Sequence, residues 1–234
     1  GAVIGSPLNW NVKILRDKKV LPGIGKKSMT VIQAEGDISD TDFESGAWKP
    51  APWNELGEIQ LGALREHTRF KVLYDNQKII FGVESDLDSK KKINAFGHDG
   101  NCFLADSIEL LMDPAGTRSV YYHFILGPVS NSYYDAAFGL TTDVINPLYN
   151  QTDSSWDGKW SYNSTRKGDK WFAKIEIPYA SMSVKPPTPG SLWFFNLGRE
   201  AYFSSHYPEL SLWSPNLQNQ GFHDTEAFGE MHFK

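Results

Sequence analysis

Residues 68–83 read TRFKVLYDNQKIIFGV. Apolar and polar side chains alternate along Thr68–Tyr74, the dipeptide Asp75-Asn76 is a turn signal, and apolar residues resume towards Val83. Successive side chains of a β-strand point to opposite faces, so a period of two separated by a turn predicts a hairpin. We therefore expect this stretch to form two paired strands with one apolar face.

The same period recurs outward from this hairpin, between runs punctuated by Pro and Gly. The further predicted strands are Met29–Ala34, Ile108–Met112, Val120–Leu126, Trp171–Ile177, Trp193–Leu197 and Phe228–Phe233. A single turn of helix is predicted after Pro178, through Tyr179–Met182. Strands at regular spacing predict an all-β fold with little helix, an antiparallel two-sheet β-sandwich of the jelly-roll or immunoglobulin-like type.

The composition narrows the classes of partner. The 234 residues are 40% hydrophobic, and their apolar runs are too short for a membrane span. The net charge of −5 argues against nucleic acid as a binding partner. Aromatic residues make up 14% of the chain; most are expected to fill the core, and a few are candidates to line a groove. Cys102 is the single cysteine, which excludes a disulfide framework. The chain begins at Gly1 without a signal-peptide pattern, and we expect a signal to have been removed from it.

The first 34 residues differ from the rest of the chain. A basic stretch from Lys13 to Lys27 and a Pro22-Gly23 turn precede the first predicted strand. Residues 1–34 are interpreted either as an N-terminal extension, the end of a preceding domain, or as extra strands on the main domain. Residues 35–234 form the predicted β-sandwich.

Six short segments occur in an order that resembles carbohydrate-binding module family 9, whose fold is related to DOMON domains. They are Gly36–Asp40 before Trp48, Phe70–Asp75, Asp106–Leu110 with Asp113-Pro114, Ala173–Pro178, Asn196–Arg199 and Phe228-Gly229. The resemblance covers roughly residues 35–234. It implies a sandwich with a slot in which two aromatic rings clamp a pyranose while charged and amide groups hold its hydroxyls.

Carried over by position, the resemblance implies a site made of four residues. Phe103 lies three positions before Asp106 and Phe222 six positions before Phe228, where the family has tryptophan. Phenylalanine keeps a stacking face but lacks the indole N–H, so altered binding is expected. Glu109 corresponds to a carboxylate that holds sugar hydroxyls, and Asn219 corresponds to an amide. The alternative for both rings is an ordinary place in the core or a loop.

Other positions depart from the family pattern. The family's arginine, asparagine and glutamine are replaced here by His123, Ile125 and Gly198, which removes several hydroxyl contacts. His123 is a candidate ligand-binding residue, with a structural histidine as the alternative. Arg199 is a further candidate for ligand contact, and pairing with a strand carboxylate is its alternative interpretation.

The acidic run Asp37, Asp40, Asp42 and Glu44 is the candidate metal site. Calcium prefers several hard oxygen ligands close together, and the resemblance also implies structural calcium. The run lacks the spacing of an EF-hand loop, so an Asx-rich turn before a strand is the competing interpretation.

The predicted function is non-catalytic binding of a mono- or oligosaccharide, within a secreted bacterial glycoside hydrolase system outside the cell or in the periplasm. A flanking catalytic domain is an expected partner. One alternative is a structural docking module of a larger polysaccharide-degrading enzyme, and another is a glycoside hydrolase itself. Asp106 and Glu109 are three apart on one predicted strand, so they point to opposite faces and cannot form a catalytic pair. Haem held by Met112 and His123, as in some DOMON relatives, is a further alternative.

Overall fold

The computed structural model describes residues 26–59, 61–139, 152–203, 207–217 and 221–234. In chain order the strands are β1 (Ser28–Gln33), β2 (Asn54–Glu55), β3 (Gly57–Glu58), β4 (Thr68–Tyr74), β5 (Lys78–Asp86), β6 (Gly97–His98), β7 (Ser107–Asp113), β8 (Tyr121–Leu126), β9 (Ser132–Phe138), β10 (Thr152–Asp153), β11 (Ser161–Lys167), β12 (Lys170–Pro178), β13 (Leu192–Ala201), β14 (Glu209–Leu212) and β15 (Gly229–Phe233). Short 3-10 helices cover Gly46–Trp48, Cys102–Leu104, Tyr179–Met182 and Thr225–Ala227. The predicted all-β character with little helix is confirmed. Within the described ranges, none of the helices has the length and apolar character needed to cross a bilayer.

The hairpin predicted from residues 68–83 forms as β4 and β5. Tyr74 lies opposite Ile79 in the antiparallel register. The Asp75 side chain closes the turn, because its Oδ1 accepts hydrogen bonds from the backbone N–H groups of Gln77 at 2.7 Å and Lys78 at 2.9 Å. An aspartate that bonds to the backbone two and three residues ahead mimics a backbone turn and fixes the register of the strands.

The hydrogen-bonded strand order departs from the predicted pair of antiparallel sheets. The main path runs β10-β9-β8-β7-β13-β15-β1-β4-β5-β12-β11, a single curled mixed sheet. β1 is parallel to both of its neighbours: Ser28–Val31 pair with β15, and Ile32–Gln33 pair with β4. Because β1 changes partners midway, it joins two sections of the sheet. The first section contains β10, β9, β8, β7, β13 and β15, and the second contains β4, β5, β12 and β11.

The apolar core lies between these two sections. The Phe195 ring of β13 is 5.8 Å from the Phe70 ring of β4 and 5.7 Å from the Phe81 ring of β5. All three side chains are fully buried. Aromatic pairs at these distances add to the free energy gained from burying their area. The two sections therefore face each other across one shared core.

The strands of the first section also have a second, separately packed face. On β7, Ile108, Leu110 and Met112 enter the shared core, whereas Leu111 packs into a different apolar cluster that contains Phe222. This is the alternation that a strand imposes. The candidate functional site lies on the Leu111 side of β7.

The predicted boundary at residue 34 falls directly after β1. Residues 28–33 occupy a central position in the sheet, between β15 and β4. Residues 1–25, which contain most of the basic stretch from Lys13 to Lys27, lie outside the described ranges.

Candidate functional site

A pocket of about 340 Å³ lies on the second face of β7, β8, β9 and β13. It is lined by Phe103, Glu109, His123, Ile125, Tyr134, Phe138, Glu200, Leu210, Gly221, Phe222 and His223. Four of these residues, Phe103, Glu109, His123 and Phe222, are sequence-predicted site residues from distant parts of the chain. The fold therefore brings them to one place.

Glu109 and His123 form the polar floor of the pocket. Glu109 lies opposite Ile125, two residues beyond His123, so the two side chains are diagonal neighbours on adjacent strands. His123 Nε2 is 2.8 Å from Glu109 Oε2, and each residue is only 3% exposed. Burial raises the pKa of Glu109 to about 7 and lowers the pKa of His123 to about 3, because it disfavours the charged form of each.

Glu200 brings a second carboxyl group to the pocket. Its strand, β13, places Gly198 opposite Glu109, and Glu200 two residues later points to the same face. Burial, and then the nearby charge of Glu109, raise the pKa of Glu200 to about 8. Two acidic groups in one pocket cannot both ionise without repulsion.

Two buried atoms of the pocket residues lack a hydrogen-bond partner among the residues that the structure describes. They are His123 Nδ1 and Glu200 Oε2. Buried polar atoms in folded proteins are nearly always satisfied, and an exception calls for an explanation such as an absent water, ion or ligand. The floor thus presents polar groups whose hydrogen-bonding capacity is not used by the protein itself.

Aromatic side chains form the walls. Phe103 comes from the 3-10 helix Cys102–Leu104, and its ring meets the Tyr134 ring edge-on, with centroids 6.2 Å apart and planes at 80°. Phe103, Tyr134 and Phe138 are partly exposed, whereas Phe222 retains only 5% of its surface. The predicted clamp of Phe103 and Phe222 is thus unequal. Most of the accessible aromatic surface comes from Phe103 and from the β9 side chains.

The position of Phe222 depends on the glycine at 198. A Cβ atom built on Gly198 would lie 2.7–2.9 Å from three carbon atoms of the Phe222 ring. Real Cβ atoms do not approach other atoms so closely, so the ring occupies the space that any other residue at 198 would fill. The replacement of the family's glutamine by Gly198 therefore has a packing consequence, since it lets Phe222 reach β13.

His223 lies at the exposed mouth of the pocket. Its Nδ1 is 2.8 Å from the Tyr121 hydroxyl, and its ring is 4.8 Å from the His123 ring, with the planes at 88°. Tyr121 itself is buried and stacks on Phe138 at 4.7 Å. The orientation of the His223 ring is therefore set by a rigid neighbour.

Sequence reasoning missed Tyr134, Glu200 and His223. The alternation of Tyr134, Ala136 and Phe138 in β9 could have identified the first, and the two-residue spacing of Gly198 and Glu200 the second. His223 is in a loop, where no periodicity applies.

The structure places Arg199 away from this pocket. Its Nη2 lies 2.8 Å from Asp106 Oδ1 and 3.0 Å from Glu66 Oε2, and its Nε donates to Ser85 Oγ at 3.1 Å. This matches the alternative interpretation of Arg199 as the partner of a strand carboxylate, so Arg199 is left out of the proposed saccharide site. Asn219, the fourth residue implied by the resemblance, lies outside the described residues.

The acidic run does not present converging oxygen atoms. Asp40 pairs with Lys174 and accepts a hydrogen bond from Asn163 Nδ2 at 2.8 Å, and Asp42 Oδ1 accepts from the Glu44 backbone N–H at 3.1 Å. For Asp37, the backbone carbonyl accepts a bond from Ala47. A lysine ammonium on Asp40 does not fit a calcium ligand, since it takes the place of the cation. Calcium at these aspartates stays a prediction.

The catalytic carboxylate pair and the haem site each require two residues that the structure places apart. Asp106 is bonded to Arg199 while Glu109 faces the pocket, as their odd spacing predicted. Met112 is fully buried in the shared core, whereas His123 lines the pocket. One haem iron between these two side chains is therefore not favoured by this arrangement.

Comparisons with solved structures identify the fold. No protein-family model and no curated protein matches the sequence. The chain superposes on a provisionally assigned carbohydrate-binding protein from Bacteroides uniformis ATCC 8492, with a TM-score of 0.71, 16% identity and coverage of 90% of this chain and 100% of that one. It also superposes on a carbohydrate-binding module family 9 from Caldicellulosiruptor kristjanssonii in complex with cellotriose, with a TM-score of 0.64, 15% identity and coverage of 89% and 94%.

The chain has a family 9-like fold. The same Caldicellulosiruptor kristjanssonii family, in a complex with glucose, gives a TM-score of 0.62 at 15% identity and covers 89% of this chain and 96% of that one. At such identities the likeness concerns the fold. The chemistry of the pocket therefore has to be argued from this chain's own residues.

Proposed function

We propose that this chain is a non-catalytic carbohydrate-binding module whose pocket binds one sugar unit of a mono- or oligosaccharide. The observation that carries the proposal is the meeting in one pocket of Phe103, Glu109 and Phe222, three of the four residues that the resemblance implied, together with His123. The likeness to structures that hold glucose and cellotriose supports the class of ligand.

The geometry suits a pyranose, which has apolar C–H faces and a rim of hydroxyl groups. A volume of about 340 Å³ is in the range of small-ligand pockets. Partly exposed rings of Phe103 and Tyr134 offer the apolar contact, and Glu109 and Glu200 offer carboxyl oxygens to the hydroxyls. Whichever acid is ionised accepts hydrogen bonds about twice as strong as neutral ones, and the protonated acid can donate one, so the pair would orient the sugar.

The replacement of family amides and arginine by His123, Ile125 and Gly198 alters the set of hydroxyl contacts. We infer that this pocket selects its sugar with carboxyl and imidazole groups. We also propose that the module works in a secreted bacterial glycoside hydrolase system, outside the cell or in the periplasm, beside a catalytic domain. In that setting the two sections of the sheet would act as the two layers of a sandwich that carries the pocket at its outer face.

Isothermal titration calorimetry with glucose, cellobiose and cellotriose tests the proposal. We expect at least one of these saccharides to bind at one site per chain. Replacing Phe103 by Ala should cost about 1–3 kcal/mol of binding free energy, as expected for loss of buried aromatic surface. Glu109→Gln should weaken binding without unfolding the chain, because the amide is a poorer acceptor.

Matched controls keep the test specific. Leu104, beside Phe103 in the same 3-10 helix, is 59% exposed and is not among the pocket-lining residues, so Leu104→Ala should bind as wild type does. Glu230→Gln, on β15 and outside the set of pocket-lining residues, should also leave affinity unchanged. An equal loss of affinity in a pocket variant and in its control would reject the proposal. So would the absence of a binding heat with every saccharide in a broad panel. Release of reducing sugar during the titration would instead point to an enzyme.

A further inference from the structure

Three side chains in the pocket have the composition of a metal site. One potential ligand atom each from Glu109, His123 and His223 lies within 4.8 Å of the other two. Two imidazoles and a carboxylate are the donors that zinc and neighbouring transition metals accept. Calcium and magnesium, in contrast, prefer oxygen ligands alone.

The hydrogen bonding around the three residues supplies a second, independent observation. His123 is 3% exposed, lines the pocket and keeps a buried Nδ1 without a partner among the described residues. Its Nε2 lies 2.8 Å from Glu109 Oε2, and an ion shared with that carboxylate is bound through Nε2, since Nδ1 is on the other side of the ring. The Nε2 and Oε2 atoms are already close to the roughly 3.3 Å that separates two ligand atoms of one tetrahedral zinc ion.

The surroundings of His223 match those of a metal ligand. Its Nδ1 contacts the Tyr121 hydroxyl at 2.8 Å, which leaves Nε2 available. Ligating histidines usually donate their second ring N–H to a neighbouring acceptor, which fixes the ring and its tautomer. The phenol of Tyr121 is such an acceptor.

We propose that Glu109, His123 and His223 bind one divalent transition metal ion of the zinc class in the pocket. Ligand atoms around a tetrahedral zinc ion lie roughly 3.3 Å apart, given Zn–N distances of about 2.0–2.1 Å. The ligand atoms now lie within 4.8 Å of one another, so binding of the ion requires a modest approach of the three side chains. Three protein ligands leave a fourth coordination position for a water molecule or a sugar hydroxyl.

Zinc titration of the chelator-treated chain, followed calorimetrically and by elemental analysis after desalting, tests this site without any saccharide present. We expect one zinc ion per chain and a higher melting temperature, because an ion held only by the native state stabilises it. His223→Gln should weaken zinc binding at least about tenfold, and Tyr121→Phe, which removes only the outer contact, by about 10–100-fold or less. His223 is exposed, so its replacement should leave the fold intact.

Two control variants separate this site from other histidines. His98 lies near Asp99 and Asp135 in a second group of potential ligands, and His232 lies 3.1 Å from Glu230 at the surface. His98→Gln and His232→Gln should bind zinc as wild type does. Zinc binding that survives His223→Gln, that is lost in His98→Gln, or that is absent from wild type would overturn the proposal. The saccharide titration repeated in chelator reports separately on the proposed function, since a metal-free chain that still binds sugar upholds that function whether or not the zinc titration succeeds.

Discussion

Arg199 and Glu200 are adjacent residues of β13, yet they belong to two buried polar clusters with opposite properties. Arg199 points to one face, where its nitrogens contact Glu66, Asp106, Ser85 and the Glu200 backbone carbonyl. A second cation also reaches this cluster, since Lys91 Nζ is 2.5 Å from Asp106 Oδ2. Its charges are paired, and the Arg199 side chain is fully buried.

The cluster on the opposite face is incomplete. Glu109 contacts His123, but His123 Nδ1 and Glu200 Oε2 have no partners within the described part of the chain, and two acidic groups lie near one another. Buried charges that are fully paired are costly to disrupt, whereas unpaired buried polar groups carry a desolvation cost and call for an explanation such as a bound ligand. The difference indicates that the Arg199 cluster is structural, and it supports the proposal that the Glu109 pocket binds a ligand.

The largest expected effect is on stability at the Arg199 cluster. Arg199→Met should lower the free energy of unfolding by about 3–5 kcal/mol, because it leaves the buried carboxylates of Asp106 and Glu66 unpaired. Urea denaturation followed by tryptophan fluorescence measures this. Arg65→Met is the control, since Arg65 is exposed and its guanidinium carbon lies 3.8 Å from the centre of the Phe203 ring. Similar small losses in both variants would show that the Arg199 cluster is not structural.

A smaller effect is expected where the pocket is shaped by packing. Gly198→Ala places a methyl group against the Phe222 ring, and overpacking of this kind costs about 1–3 kcal/mol of stability. Displacing Phe222 should also weaken saccharide binding, measured by calorimetry on the same samples. Gly57→Ala, in a strand of the same sheet with nothing within 4 Å of the added atom, should change neither quantity. If Gly198→Ala binds sugar normally, Phe222 does not shape the pocket.

The smallest effect on stability is expected at the pocket floor. Glu109→Gln should change the free energy of unfolding by less than about 1 kcal/mol, because Gln keeps the size and an acceptor for His123, while no paired charge is lost. The same urea titration compares it directly with Arg199→Met. A destabilisation of Glu109→Gln as large as that of Arg199→Met would remove the distinction between the two clusters.

Much of the fold was predictable because alternation is a local property. The hairpin of β4 and β5 and the face of β7 that carries Glu109 follow from the period of two and from the Asp75 turn. Alternation gives the face of a side chain but not the neighbours of its strand. The parallel pairing of β1 to both β15 and β4 therefore could not be predicted, because it joins residues from the start, the middle and the end of the chain.

The site was predictable to the extent that it lies on regular strands or at fixed distances from a motif. Glu109, His123 and the two phenylalanines were located in this way. The Tyr134 side chain was missed because the predicted strands did not include β9, whose sequence contains the polar Asp135. The role of Gly198 depends on a contact with Phe222 across the fold, and only the three-dimensional structure gives such a contact.

A crystal structure of the chain soaked with glucose or cellotriose tests the central claim most directly. We predict one sugar ring in the pocket, in contact with Phe103 and Tyr134, with a hydroxyl within hydrogen-bonding distance of Glu109 or Glu200 and the Arg199 cluster unchanged. A sugar bound at another surface while this pocket stays empty would contradict the account.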